Sequence, residues 1–183
     1  GADMIGLMFY AGSPRHLTLA QAAEISRALP PIVQRVGVFV NPDAAQVLEA
    51  IAACGLKLLQ FHGDEPSEFC TQFGAMSLKA FRIQNAESLA ALESYQTDAF
   101  LLDAHSKSGL GGTGETFNWD LAVEAQKFGK PIFLAGGLTP ENVADAVRQV
   151  QPFAVDVSSG VESAPGKKDI AKVRAFIEAV RVV

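Results

Sequence analysis

The apolar run AFLLDA (99–104) stops on a carboxylate, Asp103, and the chain then enters SKSGLGGTGETF, which holds four glycines. A rigid strand that ends on an acid fixes that acid in space, which is what general acid or base chemistry requires. The glycines supply the backbone freedom of a lid that closes over a bound molecule and excludes water. The competing reading of Asp103 is a strand-end carboxylate that caps the next loop.

Two later segments carry a different chemistry. LAGGLTPENV (134–143) runs from an apolar stretch through Gly136 and Gly137 into a helix start, and DVSSGVES (156–163) places Ser159 and Gly160 after another apolar stretch and predicts a short helical turn. Small residues let an anion approach backbone N–H groups, and helix N-termini favour negative charge. Each segment alone is also a plain tight turn. As consecutive final units they point to a phosphate site, which barrel folds commonly build after their last two strands. GLGGTG (109–114) follows a strand but does not open a helix directly, so no dinucleotide fingerprint is read there.

Further polar groups follow other apolar runs. Arg15 comes after Ser-Pro, and its guanidinium suits a carboxylate or phosphate as well as a surface ion pair. Gln60 and His62 lie in QFHGDE. His62 either orients a substrate or bonds a neighbouring strand end. Asp156 reads as part of the last strand, either facing a site or satisfying buried donors. No His, Cys, Asp or Glu grouping has metal-ligand spacing, so no metal is expected.

Seven short apolar runs, at 4–10, 35–40, 56–61, 77–83, 99–104, 131–136 and 152–157, could position these groups. Most are continuously apolar, as in strands of a parallel sheet covered on both faces. Amphipathic stretches lie between them: 18–29 opening on Thr18, 41–54 opening on Asn41 and Pro42, 139–150 with Thr139 as N-cap, and 167–183 closing the chain. The alternation predicts a parallel sheet with helical crossovers, either an open doubly wound sheet or a closed (β/α)8 barrel. The expected class is the (β/α)8 TIM barrel, a single domain over 1–183 with seven of eight strands visible and the first lying upstream of residue 1.

The composition is that of a globular chain and not of a disordered one. The chain has 183 residues, 49% hydrophobic and 19% charged, with net charge -5 and pI near 5.2. No basic stripe is present to neutralise nucleic-acid phosphates, and no run approaches the ~18 apolar residues of a membrane span. Cys54 and Cys70 read as reduced thiols, and the expected location is cytoplasmic.

Taken in order, GADMIGLMFYAGSPRHL, VGVFVN, LQFHGDE, KAFRI, FLLDA with GGTGETFNWD, PIFLAGGLTPENV and AVDVSSGVESAPGKKD resemble the phosphoribosylanthranilate isomerase family over nearly the whole chain. The resemblance implies an Amadori rearrangement of N-(5-phosphoribosyl)anthranilate without metal or redox cofactor. It makes Asp103 the general acid, Arg15 the partner of the anthranilate carboxylate, and Gly136, Gly137, Ser159 and Gly160 the phosphate site. The expected partner is that small phosphorylated substrate, with no nucleic acid or membrane, on a monomer or homodimer.

One departure matters. The family's general base is a cysteine in a K-I-C-G motif on the first strand, and this sequence has no such motif. Neither Cys54 nor Cys70 inherits the role. The expectation is that the native protein carries that strand, with real truncation or completion by another chain as alternatives. Two rivals remain: a relative of indoleglycerol phosphate synthase, which would use a strand-end lysine such as Lys57 or Lys79, and a catalytically silent fragment that binds phosphorylated ligands.

Overall fold

In the computed structural model the described residues are 1–104 and 119–183. All seven apolar runs form strands: β1 (Met4–Met8), β2 (Gln34–Phe39), β3 (Leu58–Phe61), β4 (Met76–Ile83), β5 (Ala99–Ala104), β6 (Ile132–Ala135) and β7 (Ala154–Val155). They make one sheet in sequence order, and the described pairings among them are parallel. Burial on both faces explains the unbroken apolar runs. Every residue of β3 and β6 is buried, as an alternating half-exposed strand would not be.

The crossovers are helical: α1 (Leu19–Ala28), α2 (Ala44–Cys54), α3 (Ser67–Thr71), a 3-10 helix at Ala86–Ser94, α4 (Trp119–Ala125), α5 (Val143–Val150) and the closing α6 (Ile170–Arg181). α1 opens on the expected cap. Thr18 accepts from the Gln21 amide, and the Gln21 side chain accepts from the Thr18 amide, a reciprocal arrangement that satisfies two orphan donors. At its other end Arg35 donates to the carbonyls of Ser26 and Leu29 at 2.8 and 3.1 Å, neutralising the negative helix end.

Three helix starts differ from the sequence reading. α2 begins after Asp43, which forms a capping box with Gln46, and Asn41 instead takes a left-handed φ of 47°. α5 begins after Asn142, and its cap side chain makes no bond within the helix. Thr139 is held in the preceding turn, where its hydroxyl accepts from the Glu141 amide. α6 starts after Asp169, because Lys167–Lys168 pairs antiparallel with Glu162–Ala164 as a small hairpin, β8 and β9.

The described residues fall into two compact units. One holds Ala2–Ala80 and Tyr95–Asp98, the other Gly1, Phe81–Ser94 and Ala99–Val183. In the first, Phe9, Phe39, Phe61 and Phe73 stack with ring centroids 5.1 to 6.0 Å apart, and the buried Val47, Ala50, Cys54, Leu59 and Cys70 surround them. In the second, Phe100, Leu101, Leu102, Leu134, Ala146 and Val150 are fully buried.

Candidate functional site

Asp103 is the fifth residue of β5 and stands in register with Ala135, the last residue of β6. Gly136 and Gly137 follow at once, with φ of 84° and 66°. A side chain is disfavoured in that region, so glycine is what lets the chain turn there. The Asp156 amide donates to the Leu134 carbonyl at 2.8 Å, continuing the β6–β7 pairing of Leu134 with Val155. Asp156 therefore lies just past β7, not inside it as the sequence reading had it. The strand is short, and Asp156 itself is exposed. Register places the backbones of Asp103, Ala135 and Asp156 at one level across three strands, so the Cα atoms of the two acids lie two strand spacings, about 10 Å, apart.

The two glycine loops, at Gly136–Gly137 and at Ser159–Gly160, lie against each other. A β-carbon at Gly160 would collide with the Leu138 carbonyl oxygen, so the two loops pack backbone to backbone. Asn142 braces the first loop, donating to the Gly137 carbonyl at 3.0 Å and accepting from the Thr139 amide at 2.8 Å. The expected short helical turn at Ser159–Val161 is present as one turn of 3-10 helix. Lys168 anchors it, donating to the Ser158 carbonyl at 2.8 Å and pairing with Glu162 at 3.2 Å. Lys172 donates to the Glu162 carbonyl at 3.1 Å. The Glu162 carboxylate is buried while Lys168 remains partly exposed, so the lysine supplies the counter-charge that burial of an acid demands.

In the other unit, Gln60 is a buried residue of β3 and His62 follows that strand. The Gln60 amide nitrogen lies 3.3 Å from His62 Nδ1. The His62 amide donates to the Phe39 carbonyl at 2.8 Å. The backbone of His62 thus ties a neighbouring strand end, as one sequence reading had it, and its ring lies beside the Gln60 side chain. Arg15 lies in the turn after β1, its amide donating to Ser13 Oγ at 3.1 Å.

The sequence reading passed over Glu65 and took Lys79 only as a candidate catalytic lysine. They form a buried ion pair at 3.3 Å, with side chains 2% and 3% exposed. Lys79 also donates to the carbonyls of Gly63, Ala80 and Phe61 at 2.6, 3.2 and 3.3 Å. Glu65 accepts from the Asn41 amide at 2.7 Å and from the Gly63 amide at 3.0 Å. A lysine within the buried run SLKAFRI was the available signal, since a buried charge requires a partner.

Both cysteines are buried. Burial pushes the Cys70 thiol up to about 12, which suits a packing residue and not a base. Among the described residues no cluster could hold a metal ion, and no helix is long and apolar enough to cross a membrane. The expected lid, 105–117, lies outside the described residues.

Comparison with known proteins agrees with this geometry. The family model for N-(5'-phosphoribosyl)anthranilate (PRA) isomerase matches residues 1–179. The N-(5'-phosphoribosyl)anthranilate isomerase of Geobacter metallireducens is 55% identical over 177 residues, covering 97% of this chain and 87% of that protein. That of Geobacter sulfurreducens is 54% identical with the same coverage. The crystal structure of phosphoribosyl anthranilate isomerase from Thermotoga maritima superposes with a TM-score of 0.93 at 39% identity, over all of this chain and 90% of that one. Another crystal structure of the enzyme, in complex with reduced 1-(o-carboxyphenylamino)-1-deoxyribulose 5-phosphate, has a TM-score of 0.89 at 38% identity, covering 100% of this chain and 89% of that one. With strands, glycine loops and strand-end acid in the order its sequence motifs require, the chain belongs to the N-(5'-phosphoribosyl)anthranilate isomerase family.

Proposed function

We propose that this chain catalyses the Amadori rearrangement of N-(5-phosphoribosyl)anthranilate to 1-(2-carboxyphenylamino)-1-deoxyribulose 5-phosphate, with Asp103 as general acid. The observation that carries this is the register of Asp103 with Ala135, which sets the acid level with the start of the Gly136–Gly137 turn. A sugar phosphate whose phosphate rests on the amides of Gly136, Gly137, Ser159 and Gly160 extends its ring toward that acid.

The protonated Asp103 donates to the ribose ring oxygen. The C1–O bond breaks with its electron pair going to that oxygen, and the anilino nitrogen lone pair forms an iminium. A base then removes the C2 proton. The C2–H electron pair becomes a C1–C2 double bond and neutralises the iminium, giving an enolamine that tautomerises to the ketose. No electrons leave the molecule. The base is neither Cys54 nor Cys70, since both thiols are buried. Arg15 takes the anthranilate carboxylate, while Gln60, His62 and Asp156 bind the sugar or the anthranilate. The occupant is thus one small phosphorylated molecule, on a monomer or a homodimer. Two buried free cysteines fit a location in the cytoplasm.

The test is the loss of phosphoribosylanthranilate fluorescence on adding the purified protein, with the reduced product analogue as inhibitor. Turnover that the analogue blocks supports the reading. Tight binding of the analogue without turnover favours the silent phosphate-binding alternative and contradicts the assignment.

A further inference from the structure

The buried pair Glu65–Lys79 is expensive. Two charges are taken out of water, and a well-packed apolar pair of similar volume would commonly give equal or greater stability. What the pair achieves is geometric. One carboxylate gathers the amides of Asn41, just beyond β2, and Gly63, just beyond β3. One ammonium, rising from β4, gathers the carbonyls on either side of His62, those of Phe61 and Gly63. Asn41 completes the arrangement by accepting from the Asp64 amide through its side chain at 2.7 Å, and it holds an unfavourable left-handed backbone to do so. Gly63 has no alternative, since a β-carbon there would run into the Asn41 side chain. The Tyr95 hydroxyl donates to the Glu65 carbonyl at 3.0 Å, and the Lys79 ammonium lies 5.7 Å from the Tyr95 ring centroid. The carbonyls of Phe61 and Gly63 and the amide of Asp64 are thereby tied to groups on the two neighbouring strands and their ends, and the Gly63 amide to Glu65, with His62 at the centre of the turn.

We propose that Glu65 and Lys79 are positioning residues: the pair holds the turn after β3 against the end of β2, so that the His62 imidazole is presented to substrate in one fixed orientation. The proposal rests on the placement of His62 in the substrate site made above. Neither member touches substrate; both act through His62.

The experiment is a double-mutant cycle on the protein expressed from its complete reading frame. The pair is neutralised together as Glu65→Gln with Lys79→Met, so that no lone charge is left buried, and the cycle is closed with His62→Ala. Expected is a fall in kcat/KM of at least tenfold on neutralising the pair in the parent, carried mainly by KM, with a melting temperature close to the parent's. In the His62→Ala background the same change costs less than twofold, because the group it positions is gone. Independent, multiplying losses would overturn the proposal, as would unchanged kinetics in the neutralised variant. Should that variant not fold, amide exchange in the parent decides. Asn41 and Gly63 amides that exchange at least tenfold more slowly than exposed loop amides support the pin, and amides that exchange as fast contradict it. A parent without turnover would fail the isomerase reading instead, leaving the same exchange measurement to judge the pin by itself.

Discussion

Gly160 and the Leu138 carbonyl oxygen stand so close that no side chain fits between them. Backbone cannot move aside as a flexible side chain would, so Gly160→Ala forces the two glycine loops apart at a cost of ~1–3 kcal/mol. Inhibition by inorganic phosphate then weakens by roughly tenfold, or ~1.4 kcal/mol. Gly55 is the control. It has a left-handed φ of 64°, unlike Gly160, and open space surrounds its missing β-carbon. Gly55→Ala lowers the melting temperature through strain of ~1 kcal/mol and leaves phosphate inhibition untouched. Thermal denaturation and inhibition constants on both variants check this.

Lys168 is the strut of the second loop. Its Nζ holds the Ser158 carbonyl and neutralises the buried Glu162. Lys168→Met removes both bonds and leaves the acid without its counter-charge, a loss of ~1–2 kcal/mol to the loop. The account predicts KM raised about fivefold to tenfold with kcat nearly constant. Steady-state kinetics at several substrate concentrations separate the two.

The thiols should be silent in the native protein. With the Cys70 thiol raised to about 12 by burial, it is neutral at pH 8, and a neutral thiol is a poor nucleophile. Ellman's reagent at pH 8 is expected to find both cysteines only after denaturation, and Cys54→Ala or Cys70→Ala leaves turnover within about twofold of the parent. Rapid native labelling of Cys70 would contradict the burial argument.

What could be read from the sequence follows from what is local. The seven strands are legible because burial on both faces leaves unbroken apolar runs. The strand-end positions of Asp103 and Gly136 are legible because each comes where such a run closes. Asn41 and Thr139 look like helix caps by type and are not, because each is engaged otherwise, Asn41 by Glu65 and Asp64 of the turn after β3 and Thr139 by Asn142 and Glu141 of its own turn. That competition is invisible in a linear pattern. Asp156 looks interior because VDV reads as strand, while the pairing of β7 with β6 covers only Ala154 and Val155. The Glu65–Lys79 pair joins residues fourteen apart across the crossover that holds α3, and only the fold brings them together.

The central claim is that Asp103 supplies the proton that opens the sugar ring. Asp103→Asn keeps the size and hydrogen-bonding reach of the side chain but cannot transfer a proton. The direct measurement is steady-state turnover of phosphoribosylanthranilate by this variant beside the parent. The account predicts kcat lower by at least ~100-fold with KM within about threefold. Turnover within about twofold of the parent would contradict it.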